Sequence, residues 1–220
     1  MRFLCGFFVF VLTINICIVA IFTGENIITR FPDIYSYEFT KSQITKELDL
    51  NYDDKLLAEV FSNYLFGKSE EFQVVAEYQG REVEVFTNAE QIAISKIKTG
   101  LNINLAIAVI GLLVSIAIIV FMIKRGWKEY VRQAYNYSLI FFSSTWLVIW
   151  ICYFTGLIDK LLNHLFFGGV IDPDTVLVAL LGGSFLRDWL SFNLVASCIF
   201  MIISRIIIWK FTEERRMFVA

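Results

Sequence analysis

The chain has 220 residues, of which 57 % are hydrophobic and 18 % charged, with two prolines and a net charge of −2. That composition excludes a soluble globular domain and a disordered chain, and the absence of a concentrated basic surface excludes nucleic-acid binding. Four stretches reach the roughly 20 apolar residues that cross a hydrocarbon core, namely residues 1–22, 101–123, 137–157 and 189–209. No small-x-small cleavage site follows the first, Ile21-Phe22-Thr23-Gly24-Glu25 being a poor substitute, so it reads as an uncleaved anchor.

Charge on the short flanks predicts the orientation. Arg2 precedes the first span, Lys124, Arg125, Lys128 and Arg132 face one acid, Glu129, in the 124–136 loop, and Lys210, Arg215 and Arg216 occupy the 210–220 tail with Glu213 and Glu214. The positive-inside rule places these flanks and both termini in the cytoplasm. The other side receives residues 23–100 and 158–188; between residues 23 and 98 there are 14 acids and 8 bases. The expected fold class is therefore membrane α-helical, with four transmembrane helices and a small α+β extracytoplasmic cap between spans one and two. All four cysteines (Cys5, Cys17, Cys152 and Cys198) fall inside spans, so the outer segments hold no disulfide. No Cys/His metal-ligand spacing occurs, and no cofactor is expected.

Residues 23–100 are too many for a structureless connection and too polar for the membrane. Asn51-Tyr52-Asp53-Asp54 supplies helix-starting side chains, Leu56, Leu57, Val60, Phe61, Tyr64 and Leu65 recur at helical spacing, and Gly67 stops the run. Residues 72–78 and 81–86 flank Gln79-Gly80 and predict a hairpin. Upstream, Ile34-Tyr35-Ser36-Tyr37-Glu38-Phe39 suggests another strand. Residues 89–99 are expected to enter the second span as one continuous helix. So small a cap has a limited core of its own. It is expected to rest on the membrane end of the bundle and form a sheltered groove there, with Tyr35, Tyr37, Phe39, Tyr52, Tyr64 and Tyr78 either lining that boundary or serving as anchors and core.

In residues 158–188, Asp172-Pro173-Asp174-Thr175 predicts a helix start with Asp172 at the N-cap and Pro173 at the first helical position. The apolar turn that follows, ended by Gly182-Gly183, is expected to lie in the interface. The single histidine, His164, sits in Asn163-His164-Leu165-Phe166-Phe167-Gly168-Gly169 at the outer end of the third span. Lys160 one helical turn earlier favours a neutral, proton-accepting imidazole. Such a histidine either does chemistry or caps a helix end. Glu90, just before the second span, either approaches the groove or is a solvated acid at a helix start. Inside the spans, Asn15, Ser143-Ser144-Thr145, Asn193 and Arg205 read as interhelical hydrogen-bond contacts and, for Arg205, as a cation reaching the near edge of the membrane.

The ordered set Ser62-Asn63-Tyr64-Leu65, Val85-Phe86-Thr87-Asn88-Ala89-Glu90, Lys98, Asn163-His164-Leu165-Phe166-Phe167 and Asp172-Pro173-Asp174-Thr175 resembles the bacterial lipoprotein intramolecular transacylase family (Lit) along nearly the whole chain. The resemblance implies four spans with an extracytoplasmic cap in the bacterial cytoplasmic membrane. It implies transfer of a fatty acyl chain from the glyceryl sn-2 ester of a diacylated lipoprotein to the amine of its N-terminal cysteine. It also implies reliance on two histidines, of which His164 matches one. The family segment Arg-Glu-x-x-His-x-x-Asp-x-Lys stands here as Ala89, Glu90, Ala93, Lys96 and Lys98, so the second histidine is replaced by Ala93. A family tryptophan is missing near Val170, and a later Pro-Glu pair appears as Gly182-Gly183.

On this resemblance, His164 and Glu90 are the candidate catalytic residues. Tyr35, Tyr37, Tyr64, Phe166, Phe167 and Lys98 are the candidate contacts to a diacylated lipoprotein or phospholipid. The alternative is a non-catalytic membrane protein that binds lipoprotein or lipid on the same scaffold, a reading that Ala93 favours.

Overall fold

The computed structural model describes residues 2–47, 52–78, 81–158, 160–161, 175–182 and 184–213. The candidate residues His164, Phe166 and Phe167, together with Asp172, Pro173 and Asp174, lie outside the described residues. Among the described residues four helices are long and apolar enough to cross a membrane: α1 (Arg2–Arg30), α5 (Asn88–Lys124), α6 (Lys128–Phe154) and α8 (Ser184–Thr212). Between the first two lie α2 (Pro32–Ser42), α3 (Ile44–Glu47), α4 (Asp54–Phe66) and the strands β1 (Val75–Tyr78) and β2 (Arg81–Glu84); α7 (Val176–Leu181) precedes the last. The fold is that of a multi-pass α-helical membrane protein with a small α+β segment between its first two spans. Only 17–33 % of the most apolar window of each long helix is buried, which leaves hydrophobic surface outward, as lipid requires and water forbids.

The chain divides into two compact units. The first comprises Met1–Gly24, Asn104–Val148 and Leu194–Ala220. Lipid tails are as apolar as leucine, so helices here need close packing and hydrogen bonds to associate. Asn15 Nδ2 donates to the Gly111 carbonyl at 2.6 Å and to Ser115 Oγ at 2.8 Å. A Cβ on Gly111 would fall 2.7 Å from Val19 Cγ2, so only glycine permits this approach of α1 to α5. The buried Tyr135 hydroxyl donates to the Met201 carbonyl at 2.7 Å and ties α6 to α8. Asn15 is thus an interhelical contact as expected, and Thr145 Oγ1 donates to Phe141 O in its own helix at 2.9 Å while also meeting the Cys17 thiol of α1.

The second unit comprises Glu25–Ile103 and Ile149–Asn193. Its core gathers Tyr35 and Phe39 of α2, Phe61 and Tyr64 of α4, Phe72, Phe86, Ala93 of α5, Leu177 of α7 and Phe185 of α8. The rings of Phe61, Phe72 and Phe86 meet one another at centroid distances of 4.9–5.7 Å in tilted or edge contacts, the arrangement that ring quadrupoles favour. In α4, Asp53 caps the first turn by accepting from the Lys55 N–H at 3.0 Å, and Gly67 closes the last with φ +88°, which a side chain would resist. The hairpin pairs Val75 with Glu84 and Tyr78 with Arg81 in antiparallel register.

Two expectations are corrected. Residues 34–39 form no strand; they lie in α2, which Pro32 opens at its first turn. Tyr35, Tyr37 and Phe39 alternate with period two, but the buried positions are Ile34, Tyr35, Glu38 and Phe39, one face of a helix. The helix near residue 175 has Thr175 at its N-cap, not Asp172, and Thr175 makes no side-chain cap bond. Its capping acceptor comes from elsewhere in the chain, as described next.

Candidate functional site

Glu90 is placed by a reciprocal cap at the start of α5. The sequence Thr87-Asn88-Ala89-Glu90 is a capping box: the Thr87 N–H and Oγ1 donate to Glu90 Oε2 at 2.7 and 2.8 Å, while the Glu90 N–H lies 3.4 Å from Thr87 Oγ1. The other carboxylate oxygen, Oε1, accepts from the Leu177 N–H at 2.8 Å. One side chain therefore satisfies the orphan donors of two helices, α5 and α7. Glu90 is only 1 % exposed, so it is not the solvated acid of the simpler expectation. Its carboxylate holds the backbone that follows the His164 segment against the helix entering the second span.

Lys98, further along α5, lies with Nζ 4.0 Å from the centroid of the Tyr64 ring and donates to the Ser69 carbonyl at 3.1 Å. The structure thus brings Lys98 and Tyr64 together. Tyr64 is buried, and so is Tyr35, whose hydroxyl donates to the Thr29 carbonyl at 2.6 Å; burial pushes that phenol well above its ordinary range. Both rings belong to the core and offer no open face to a ligand. Tyr37, on the opposite side of α2, is 54 % exposed and lies beside a shallow depression of about 430 Å³ with Ser36, Thr40, Lys41 and Lys55. Ala93, where the family histidine would fall, is 1 % exposed and packed in the core.

A further cluster escaped the sequence reading. Lys41 Nζ lies 3.2 Å from Glu38 Oε1 and 2.8 Å from Asp188 Oδ2, Ser184 Oγ donates to Glu38 Oε2 at 3.1 Å, and Arg187 Nε donates to Asp188 Oδ1 at 3.0 Å. These bonds join α2 to the start of α8. Burial, and then the neighbouring Asp188 carboxylate, raise the Glu38 carboxyl above the usual carboxylate range, while Lys41 and Ser184 act in the opposite sense. Lys41 is raised in turn by Asp188 and Glu38. Reading residues 34–39 as a strand hid the Glu38–Lys41 spacing, which is a helical i,i+3 pair; Asp188 is joined to them only by the tertiary fold.

The fold and these residues define a multi-pass membrane protein whose α+β segment is stitched to the chain after the third span by buried carboxylates. Structures of one protein share that architecture. The chain is similar to the membrane integral lipoprotein intramolecular transacylase Lit from Bacillus cereus, in a histidine-to-arginine variant, with TM-score 0.74 and 14 % identity over 98 % of this chain and 95 % of that one. A histidine-to-alanine variant of the same protein matches with TM-score 0.67 and 15 % identity over 96 % and 93 % of the two chains. A further structure of it gives 0.68 and 14 % over 96 % and 98 %. No family model and no curated protein sequence matches the chain. The fold is that of the transacylase structures.

Proposed function

We propose that this chain is a divergent lipoprotein transacylase-like enzyme of the bacterial cytoplasmic membrane. It moves an acyl chain from the glyceryl sn-2 ester of a diacylated lipoprotein to the amine of the N-terminal cysteine. The observation that carries the reading is the fold likeness along 98 % of the chain, and the ordered family residues around the single histidine support it. The α+β segment then faces outward and both termini face the cytoplasm, where the basic flanks place them.

The chemistry asks little of the protein beyond placement and proton handling. His164 takes a proton from the cysteine ammonium, and the freed amine attacks the ester carbonyl carbon to give a tetrahedral oxyanion. Collapse breaks the bond to the sn-2 oxygen, which receives the proton from the imidazolium, and the second amine proton is released as the amide forms. The histidine ends as it began. Holding ester and amine in one substrate removes up to ~7–11 kcal/mol of entropic barrier in ideal cases, and a missing acid/base partner costs on the order of 10²–10⁴ in rate. Glu90 supports the site by fixing the backbone at Leu177. Tyr37, Phe166, Phe167 and Lys98 contact the substrate, and Tyr35 and Tyr64 belong to the packed core.

The test is mass spectrometry of diacylated lipoproteins after expression in a host lacking the activity. A lyso-form product that disappears with His164→Ala is expected; no product, or product undiminished by that change, sinks the reading. Ala93 supports a second reading, a non-catalytic binder of lipoprotein or lipid, because its position is filled by core packing and carries no proton-transferring group. That reading expects lipid to co-purify without turnover.

A further inference from the structure

Arg205 lies in a surface that should hold no charge. It sits in α8 among Ile202, Ile203, Ile206 and Ile207, all of them exposed, as Arg205 is itself. Exposed isoleucines on a membrane-spanning helix are its lipid-facing side, so Arg205 emerges on that side. A cation there is costly unless it finds an anion or the interface. Among the described residues Arg205 forms no ion pair; the ion pairs present involve Lys41 and Arg187.

Its surroundings are organised. The Arg205 guanidinium carbon stands 5.2 Å from the centroid of the Trp209 ring, and that of Arg132 stands 5.6 Å from the same ring. Arg132 comes from α6 and is fixed in place: its Nε donates to Oγ1 of the buried Thr212 at 2.8 Å, which leaves the two Nη groups to other acceptors. Glu129 and Glu213, the acids nearest in sequence, form no ion pair with either arginine. Two guanidiniums share one indole, and among the described residues no carboxylate pairs with either.

Depth along the helix identifies the anion. Arg205 precedes the last residue of α8, Thr212, by roughly two turns, about 10 Å along the axis, a span that a long arginine side chain covers in large part by reaching toward the headgroups. Trp209 belongs to the same layer, since indoles collect at that boundary. We infer that Arg205 and Arg132, stacked on Trp209, bind the phosphate of an anionic membrane lipid in the leaflet where α8 ends. The guanidinium forks meet the non-bridging phosphate oxygens in paired hydrogen bonds, and the flanking isoleucines take the acyl chains. The site is independent of the acyl-transfer reading.

The experiment is native mass spectrometry of the full chain in neutral detergent. It is titrated with phosphatidylglycerol, with phosphatidylcholine of the same chains, and with inorganic phosphate. Arg205→Gln is the main variant, since Arg205 is exposed and donates no hydrogen bond among the described residues; Lys210→Gln, at the same end of α8, reports on diffuse charge. Phosphatidylglycerol is expected to bind in preference to phosphatidylcholine, and its affinity to fall on the order of tenfold in Arg205→Gln, the worth of one charge-assisted hydrogen bond, with Lys210→Gln near wild type. Equal binding of the two lipids, unchanged binding in Arg205→Gln or an equal loss in Lys210→Gln overturns the site. Displacement of the lipid by inorganic phosphate at similar concentration overturns the lipid assignment.

Discussion

At the scale of single residues, two buried carboxylates do different work. Glu90 is committed: three donors converge on it, and two are backbone N–H groups that its removal leaves unpaired. Each buried donor left without an acceptor costs about 1–3 kcal/mol. Glu90→Ala is therefore expected to lower the thermal unfolding midpoint sharply. Glu90→Gln keeps an acceptor for Leu177 but turns an amide toward the Thr87 N–H, and should fall between alanine and wild type. Differential scanning fluorimetry in detergent reads both; a wild-type midpoint for Glu90→Ala would show that the two caps carry no stability.

Glu38 responds to pH instead. Its acid form shares a hydrogen bond with Asp188, and burial disfavours its charged form, so its folded pKa lies above the ordinary value of 4.5. A raised acid stabilises the fold while protonated and loses that contribution as pH climbs from the ordinary value through the folded one. Lys41, Asp188, Arg187 and Ser184 all face it, so the clean comparison is Glu38→Gln, whose amide mimics the protonated acid. Variant and wild type are expected to unfold alike near the ordinary carboxylate pKa, with wild type falling behind as pH rises. Parallel stability curves across that range would contradict the buried acid pair.

Among the elements, the parts most legible in sequence were those with local signals. The α4 helix follows from Asp53, its apolar spacing and Gly67, and the hairpin from two short runs flanking Gln79-Gly80, the second of which alternates at Glu82-Val83-Glu84-Val85. The α2 helix was misread because aromatic residues at alternate positions imitate a strand; Pro32 at its start is a local helix signal, but the burial of Glu38 depends on Ser184, far along the chain. The contact of α1 with α5 was half legible: Asn15 stood out as a polar residue in a span, but nothing local marks Gly111 as its acceptor. A methyl group at Gly111 would meet Val19 Cγ2 at 2.7 Å and Asn15 Oδ1 at 2.9 Å. Valine is stiff at its branch point, and Asn15 is held by two hydrogen bonds, so neither yields easily. Gly111→Ala is expected to cost roughly 1–3 kcal/mol by overpacking. Gly100→Ala, whose added Cβ meets nothing within 4 Å, should not destabilise and serves as the control. Equal midpoints for the two variants would mean that the helices part without cost.

For the molecule as a whole, the sequence carried the four spans and the resemblance to the transacylases because apolar length and motif order survive when identity has fallen to 14 %. The candidate site was less legible. Glu90 was named, but its double capping role needed Leu177, and Tyr35 and Tyr64, read either as groove-lining substrate contacts or as core, lie in the core. What the proposed reaction requires above all is sidedness, since a diacylated lipoprotein presents its N-terminal cysteine on the outer face. Charge on the short flanks predicts that sidedness, and exposed positions in α2 and α6 test it. With the four native cysteines in the long helices replaced by alanine, a cysteine introduced by Tyr37→Cys in α2 is expected to react with a membrane-impermeant maleimide in intact cells, and one introduced by Glu129→Cys in α6 only after the membrane is opened. The opposite pattern would place the α+β segment with its carboxylates in the cytoplasm, away from any translocated lipoprotein. Acyl transfer would then be impossible for this chain however well its residues match.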